Sequence, residues 1–143
     1  MTLQIIELIQ DSPRPVHEMF SMLADHNKLS QVVGIPVRRI QDGEGDVNGV
    51  ASVRRLGFPL GIEETVTAFE PGRTIGYRIS KGGFPIRNHR GRIDFASASG
   101  GGSRVTWTIE FDSALPLAGP MVKFLLSKAI GSGLKRVASA SQT

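Results

Sequence analysis

Cysteine is absent from the 143 residues of this chain. That absence excludes disulfide frameworks, thiolate metal sites, iron–sulfur clusters and cysteine nucleophiles. No apolar run approaches the roughly 20 residues that a membrane-spanning helix needs, so stable membrane insertion is not expected. Residues 1–7 have no basic segment and carry Glu7 early, which is not typical of a secretory signal. We therefore expect a soluble, cytoplasmic protein.

Aromatic residues are also scarce, at 6% of the chain, and the net charge is only +4. A protein that binds nucleic acid usually clusters its basic residues and interleaves them with aromatic side chains. The composition therefore predicts no nucleic-acid partner. The length suits one domain over residues 1–143, and no internal repeat divides it.

The hydrophobic pattern predicts one strand, two helices, six consecutive strands and a long last helix. Residues 2–9 are β-compatible. Ser12, which precedes Pro13, is the predicted N-cap of a helix that ends near Ala24. Asp25 is the predicted N-cap of a second helix over residues 26–33, and Gly34 ends that helix. Apolar residues then alternate with polar ones in strands over residues 36–41, 49–56, 62–69, 75–79, about a dozen residues ending at 95, and 104–112. Phe58-Pro59 breaks this series, and the tail from Ser139 is expected to fray. Residues 116–138 carry a helical apolar stripe that includes Phe124.

This order resembles the START-like superfamily, also called SRPBCC or the birch-pollen-allergen fold. Residues 63–77 look like a characteristic hairpin of that superfamily, and residues 88–95 and 103–107 look like its last two strands. More narrowly, the chain resembles the bacterial polyketide cyclase/dehydratase-like branch. The resemblance implies an α+β helix-grip fold, in which a curved antiparallel sheet of six to seven strands surrounds the C-terminal helix and leaves an internal cavity. Because the superfamily includes carriers, sensors and cyclases, the fold alone does not settle the function.

Hairpin register predicts which residues face that cavity. The turn at Pro71-Gly72 pairs Val66 with Tyr77 and Glu64 with Ile79. A turn at Gly82-Gly83 would pair Tyr77 with Arg87 and Ile75 with His89. On the neighbouring strands, we expect Phe95 opposite Val105, Ile93 opposite Trp107, His89 opposite Phe111 and Arg54 opposite Glu64. These pairs place apolar residues on one continuous face, as a buried face requires.

Five polar residues interrupt this apolar face, namely Arg54, Glu64, Tyr77, Arg87 and His89. Burying an unpaired charge is costly, so each should meet a partner, water or a ligand. Three interpretations stay open: a structural Arg54–Glu64 pair with Arg87 and His89 at a wet rim, a cluster that orients a ligand, or a cluster that performs acid–base catalysis. With Trp107 and Phe124 as cavity walls, these five are the candidate ligand-binding residues, and no catalytic residue is assigned.

Several short segments lack the residues that known metal-binding or catalytic motifs require. The segment His17-Glu18-Met19-Phe20-Ser21 has Ser21 where a zinc-binding helix needs a second histidine, so no metal is expected. His17 and His26 are interpreted as surface helix residues. Neither a dinucleotide fingerprint, a Walker sequence nor a nucleophile elbow occurs, so no cofactor is expected.

The C-terminal stretch from Ser113 contains Lys123, Lys128, Lys135 and Arg136 and no acidic residue. Such charges usually make a solvated helix face, and a weaker interpretation is attraction to an anionic membrane surface. Gly131 and Gly133 should weaken this helix, by about 1 kcal/mol each relative to alanine.

The first functional hypothesis is therefore binding or carriage of a hydrophobic small molecule, such as a lipid, a polyketide or a quinone-like compound. The alternative is a cyclase or dehydratase that uses His89 as a proton shuttle and Arg54 or Arg87 to stabilise an enolate. A membrane-facing lipid-transfer or assembly factor that uses the basic helix is the third. The sequence does not fix the oligomeric state, and a homodimer is left open.

Overall fold

The computed structural model describes residues 3–57 and 61–139. Seven strands and three α-helices make up this part of the chain, and a single 3-10 turn at Ser99–Gly101 joins the last two strands. In chain order they are β1 (Gln4–Ser12), α1 (Val16–Ala24), α2 (Ser30–Val33), β2 (Val37–Gln41), β3 (Val53–Leu56), β4 (Ile62–Glu70), β5 (Thr74–Lys81), β6 (Ile86–Ser97), β7 (Ser103–Ser113) and α3 (Ala118–Ser139). The predicted start at Thr2, the break at Phe58-Pro59 and the tail beyond Ser139 lie outside the described residues.

All seven strands form one antiparallel sheet in the order β1-β7-β6-β5-β4-β3-β2. β1 closes the sheet beside β7, and the remaining strands follow one another as a meander. The long helix α3 packs against β1 and α2. The predicted α+β helix-grip fold is confirmed, with seven strands.

Most of the predicted register is confirmed. Arg54 pairs with Glu64, Glu64 with Ile79 and Val66 with Tyr77. Across β6 and β7, the predicted pairs of Phe95 with Val105 and Ile93 with Trp107 are also present. Ile93 on β6 and Trp107 on β7 are each only 1% exposed. The face of the sheet that carries them therefore forms part of the core.

The predicted register between β5 and β6 is wrong by four residues. Tyr77 pairs with Gly91 instead of Arg87, and Ile75 pairs with Ile93 instead of His89. The two strands pair only over residues 74–77 and 91–94 and separate toward their connecting turn. In the gap, the His89 side chain takes over as acceptor for the backbone N–H of Ile79, at 3.1 Å. A side chain therefore satisfies a buried amide that the ladder leaves without a backbone partner.

A second irregularity lies between β6 and β7. The register shifts between Arg87 and Arg90, where Asn88 has a positive φ of 53°. His89 therefore lies within a bulge instead of opposite Phe111 as predicted. A bulge inserts an extra residue and changes which side chains face inward. Ile86 and His89 face the interior, whereas Arg87 is exposed.

The helices begin and end close to their predicted limits, with two corrections. Pro15, not Ser12, precedes α1, because Ser12 is the last residue of β1 and its hydroxyl donates to the Ala138 carbonyl at 2.7 Å. Residues 26–29 form turns, so α2 is shorter than the predicted 26–33, although Gly34 ends it as expected.

Gly133 is a position where α3 closely approaches α2. A Cβ atom at this position would overlap the backbone carbonyl of Val32 in α2, whereas a Cβ at Gly131 would lie 3.8 Å from Leu8. Gly133 therefore permits close helix packing, and Gly131 has no comparable constraint.

Candidate ligand-binding site

A cavity of about 320 Å³ lies between the sheet, α2 and α3. Most of its lining is aliphatic, contributed by Leu29, Val33, Ile35, Leu56, Ile62, Ile79, Ile86, Ile109, Leu125, Leu126, Ala129 and Ile130. Three of these residues, Ile35, Leu125 and Ala129, are also exposed to solvent. They therefore mark a mouth between the end of α2 and the first half of α3.

An ion pair between Arg54 on β3 and Glu64 on β4 forms the polar part of the wall. Arg54 Nε and Nη2 each donate to Glu64 Oε1 at 2.8 Å. The Arg54 side chain is 2% exposed and that of Glu64 is 11% exposed. Cross-strand pairing of the two residues holds them side by side on the inner face. The second carboxylate oxygen, Oε2, has no hydrogen-bond partner among residues 3–57 and 61–139.

His26 contacts the Arg54 guanidinium of the ion pair, and the sequence did not predict this contact. It is 1% exposed, so its interpretation as a surface residue is wrong. Its Nδ1 lies 3.4 Å from Arg54 Nη1, and its Nε2 lies 2.8 Å from Ser52 Oγ. Because Arg54 can only donate, Nδ1 accepts and Nε2 carries the proton. Each of the three guanidinium nitrogens of Arg54 thus has an acceptor.

Burial, together with the positive charges of Arg54 and Arg39, lowers the pKa of His26 to about 3. The imidazole is therefore neutral at physiological pH and can accept from Arg54 without repelling it. No local pattern signals this role, because it depends on the turn after α1 reaching the start of β3.

Tyr77 occupies the centre of the inner face. Its ring covers the Arg54 guanidinium at 4.7 Å, and its hydroxyl accepts a 2.8 Å hydrogen bond from Trp107 Nε1. The opposite residue is Gly91, where any Cβ would overlap the tyrosine ring. Burial raises the pKa of the Tyr77 hydroxyl, so it stays protonated. The aromatic pair is a fixed wall and provides no ionisable group near neutral pH.

His89 completes the polar lining. Its Nδ1 accepts from the Ile79 amide, which places the proton of the neutral ring on Nε2. Burial is the main cause that lowers the His89 pKa, and Arg54 adds to it while Glu64 opposes it. Nε2 has no partner within the described part of the chain. His89 therefore presents an N–H donor, and its ring lies 5.4 Å from that of Tyr77.

Two predicted cavity residues lie elsewhere. Arg87 is exposed because the bulge at Asn88 reverses its side, and it lines a shallow surface depression with Lys81. Phe124 is 60% exposed on α3, where Leu125 and Leu126 face the cavity instead. The structure thus brings together Arg54, Glu64, Tyr77, His89 and Trp107 and excludes Arg87 and Phe124.

Other sites are less suited to an apolar ligand. A larger depression of about 580 Å³ lies over Gly76 and Gly91 on the outer face of the sheet, but it is bordered by the exposed Arg78, Arg90 and Arg92. In the described ranges, no group of three or more His, Asp or Glu residues is placed to share a metal ion. Nor does any helix there have the length and hydropathy to cross a membrane.

The fold and its cavity define a helix-grip protein of the START-like superfamily. Residues 5–142 match the family described as polyketide cyclase / dehydrase and lipid transport, and the chain belongs to that family. The predicted resemblance to the START-like superfamily is confirmed, and so is the narrower resemblance to its polyketide cyclase/dehydratase-like branch. A comparison with curated proteins found no match.

Solved structures show the same fold at low identity. A START superfamily protein from Mycobacterium smegmatis is 13% identical with a TM-score of 0.76, covering 94% of this chain and 96% of that one. A structural-genomics protein from Nitrosospira multiformis is 17% identical with a TM-score of 0.74, over 96% and 97%. Ara h 8.0201 is 16% identical with a TM-score of 0.67, over 94% and 96%.

Proposed function

We propose that this protein binds or carries a small apolar molecule that bears one neutral polar group, such as a hydroxyl or an enol. The apolar body occupies the aliphatic part of the cavity. The polar group donates to Glu64 Oε2 and accepts from His89 Nε2–H. An apolar cavity with a few convergent polar groups is the usual form of a small-molecule site.

The observation that carries this proposal is the pattern of used and unused polar atoms in the wall. Each nitrogen of Arg54 donates one hydrogen bond, and Glu64 balances its charge within the protein. One acceptor on Glu64 and one donor on His89 are left without partners in the described residues. A hydroxyl satisfies both at once, whereas a carboxylate would place an acceptor against Glu64.

The cavity volume limits the size of the ligand. A volume of about 320 Å³ lies at the lower end of the range of about 300–1,000 Å³ for small-molecule pockets. It suits a compact ring system or the end of a longer chain that leaves through the mouth between Ile35 and Leu125. Lipid, polyketide and quinone-like ligands all remain within this class.

The cyclase alternative has less support. Its mechanism needs a cation to stabilise an enolate, but Arg87 is exposed outside the cavity and the charge of Arg54 is already balanced by Glu64. A general base also needs an unprotonated nitrogen facing the substrate, whereas the Ile79 amide keeps the His89 proton on Nε2.

Displacement of the fluorescent probe anilinonaphthalene sulfonate tests the proposal. The competitors are a fatty alcohol and a fatty acid of equal chain length. We expect the alcohol to compete better, and expect Glu64→Gln and His89→Phe to remove its advantage. The surface variant Glu63→Gln is the control, because Glu63 pairs with Arg55 outside the cavity lining. Equal competition by acid and alcohol, or no competition, would overturn the proposal. Native mass spectrometry of material purified from its source would then identify any bound ligand directly.

A further inference from the structure

The first half of α3 has no buried side chain. Residues 120–129 are all exposed or half-buried, whereas the second half buries Ile130, Leu134 and Val137. Ten consecutive residues make nearly three helical turns. A helix of this length in a globular protein normally buries an apolar stripe.

The exposed face of this half is nevertheless apolar. Met121 lies three residues before Phe124 and four before Leu125, so these three share one side of α3, and Leu117 directly precedes the helix. We call these four residues the mouth patch, because Leu125 also lines the cavity. All four are more than half exposed, and Leu117 reaches 91%. Leu117 also has a positive φ of 67°, an unfavourable conformation for leucine that presents its side chain to water.

Further exposed apolar residues extend the patch around the cavity entrance. Ile35 borders the mouth on the side of α2. Phe84, 74% exposed, lies in the turn after β5, and the next residue, Pro85, accepts a hydrogen bond from the Ala114 amide. That bond holds the turn beside the segment that leads into α3. Contiguous exposed apolar surface of this kind marks an interaction site.

The charged residues of α3, the helix that carries most of the patch, are all positive. Lys123 stands beside it, and Lys128 continues the stripe, with its Nζ 5.8 Å from the centre of the Phe124 ring. No acidic residue follows Asp112 in the sequence. Apolar side chains bordered by lysine match the interface of an anionic bilayer, where the apolar groups enter the headgroup boundary and the lysines attract lipid charge.

We propose that the mouth patch docks this protein reversibly on the surface of an anionic phospholipid membrane, with the cavity mouth facing the lipid. Docking needs no occupant in the cavity, so the proposal stands or falls separately from the proposed function. A second copy of the chain is the competing occupant of the patch.

Flotation with vesicles tests the docking. The probes are phosphatidylcholine vesicles with and without phosphatidylserine, at low and at physiological salt. We expect binding only to the vesicles with phosphatidylserine, and weaker binding as salt shortens the reach of the charges. Lys123→Glu with Lys128→Glu should weaken binding at least about thirtyfold, because each lysine near the surface contributes roughly a factor of five to ten. Met121→Ser with Phe124→Ser should weaken it at least about tenfold.

Two controls match these variants. Ile5→Ser with Ile9→Ser removes comparably exposed apolar residues from the edge strand β1. Arg73→Glu with Lys135→Glu makes the same charge change away from the mouth. Both should bind as the wild type does. Docking at this patch is refuted if vesicles with phosphatidylserine fail to bind at low salt, or if the controls lose as much as the patch variants. It is also refuted if Met121→Ser with Phe124→Ser converts a dimer to a monomer in size exclusion and leaves vesicle binding unchanged.

Discussion

Replacing Glu64 by glutamine separates its structural from its ligand-binding contribution. In the wild type, Oε1 accepts two hydrogen bonds from a guanidinium that is almost completely buried. The amide can still accept a hydrogen bond, but the negative charge is lost. Removing one partner of a buried ion pair typically costs about 3–5 kcal/mol. The hydrogen bond that the amide retains and the Tyr77 ring over Arg54 offset part of this cost. We therefore expect the free energy of unfolding to fall by about 2–4 kcal/mol.

Thermal unfolding of the ligand-free protein measures this loss. At about 2–4 °C per kcal/mol for a chain near this size, the melting temperature should fall by about 5–15 °C. Glu63→Gln, which weakens a partly buried pair with Arg55, should lower the melting temperature by less than Glu64→Gln, because Arg55 keeps access to solvent. The double variant Arg54→Met with Glu64→Leu should recover most of the loss, since apolar replacement of a whole buried pair is often neutral. A melting temperature within a degree or two of the wild type for Glu64→Gln would show that water in the cavity already solvates Arg54, and would refute the structural role.

Two further predictions concern stability. Gly131→Ala should stabilise the protein by up to about 1 kcal/mol through helix propensity. Gly133→Ala should destabilise it, because the new methyl group would overlap the Val32 carbonyl. Chemical denaturation measures the unfolding free energy of both variants, and equal effects would contradict the packing described for Gly133. His26 has a folded pKa of about 3 against 6.5 unfolded, so the unfolded chain binds the extra proton first and stability falls as pH drops below about 6.5. From pH 7 to pH 5 this contributes a loss of about 2 kcal/mol. A His26→Asn variant should show a correspondingly flatter pH dependence, and an unchanged slope would mean that His26 is not the titrating group.

The sequence predicted the order of the elements and the register of β3 with β4, of β4 with β5 and of the second half of β6 with β7. Pro71-Gly72 predicted the pairing of Val66 with Tyr77, and matching Leu56 with Ile62 placed Glu64 opposite Arg54. It failed beyond Gly82-Gly83, because β5 and β6 separate there and a bulge at Asn88 follows. Neither feature has a periodic signature, so Arg87 was placed on the wrong face.

The tertiary part of the candidate site was also beyond sequence reasoning. His26 lies in a turn and reaches Arg54 only through the folded arrangement of α1 and β3. Phe124 belongs to an apolar stripe whose periodicity correctly predicts a helix. Periodicity does not reveal that Phe124 is on the solvent side of the helix, where its side chain is 60% exposed.

The unequal anchoring of α3 has a consequence for amide hydrogen exchange. Its C-terminal half is held by Gly133 against Val32 and by the Ser12 hydroxyl on the Ala138 carbonyl. The half over the cavity packs against the core only through the half-buried Val122 and Leu126, so local opening there should require much less free energy than global unfolding. We expect backbone amides of residues 122–129 to exchange much faster than those of residues 130–138, in a helix that is continuous. The cavity would thus have a cover that unwinds from one end while the sheet and the ion pair stay intact.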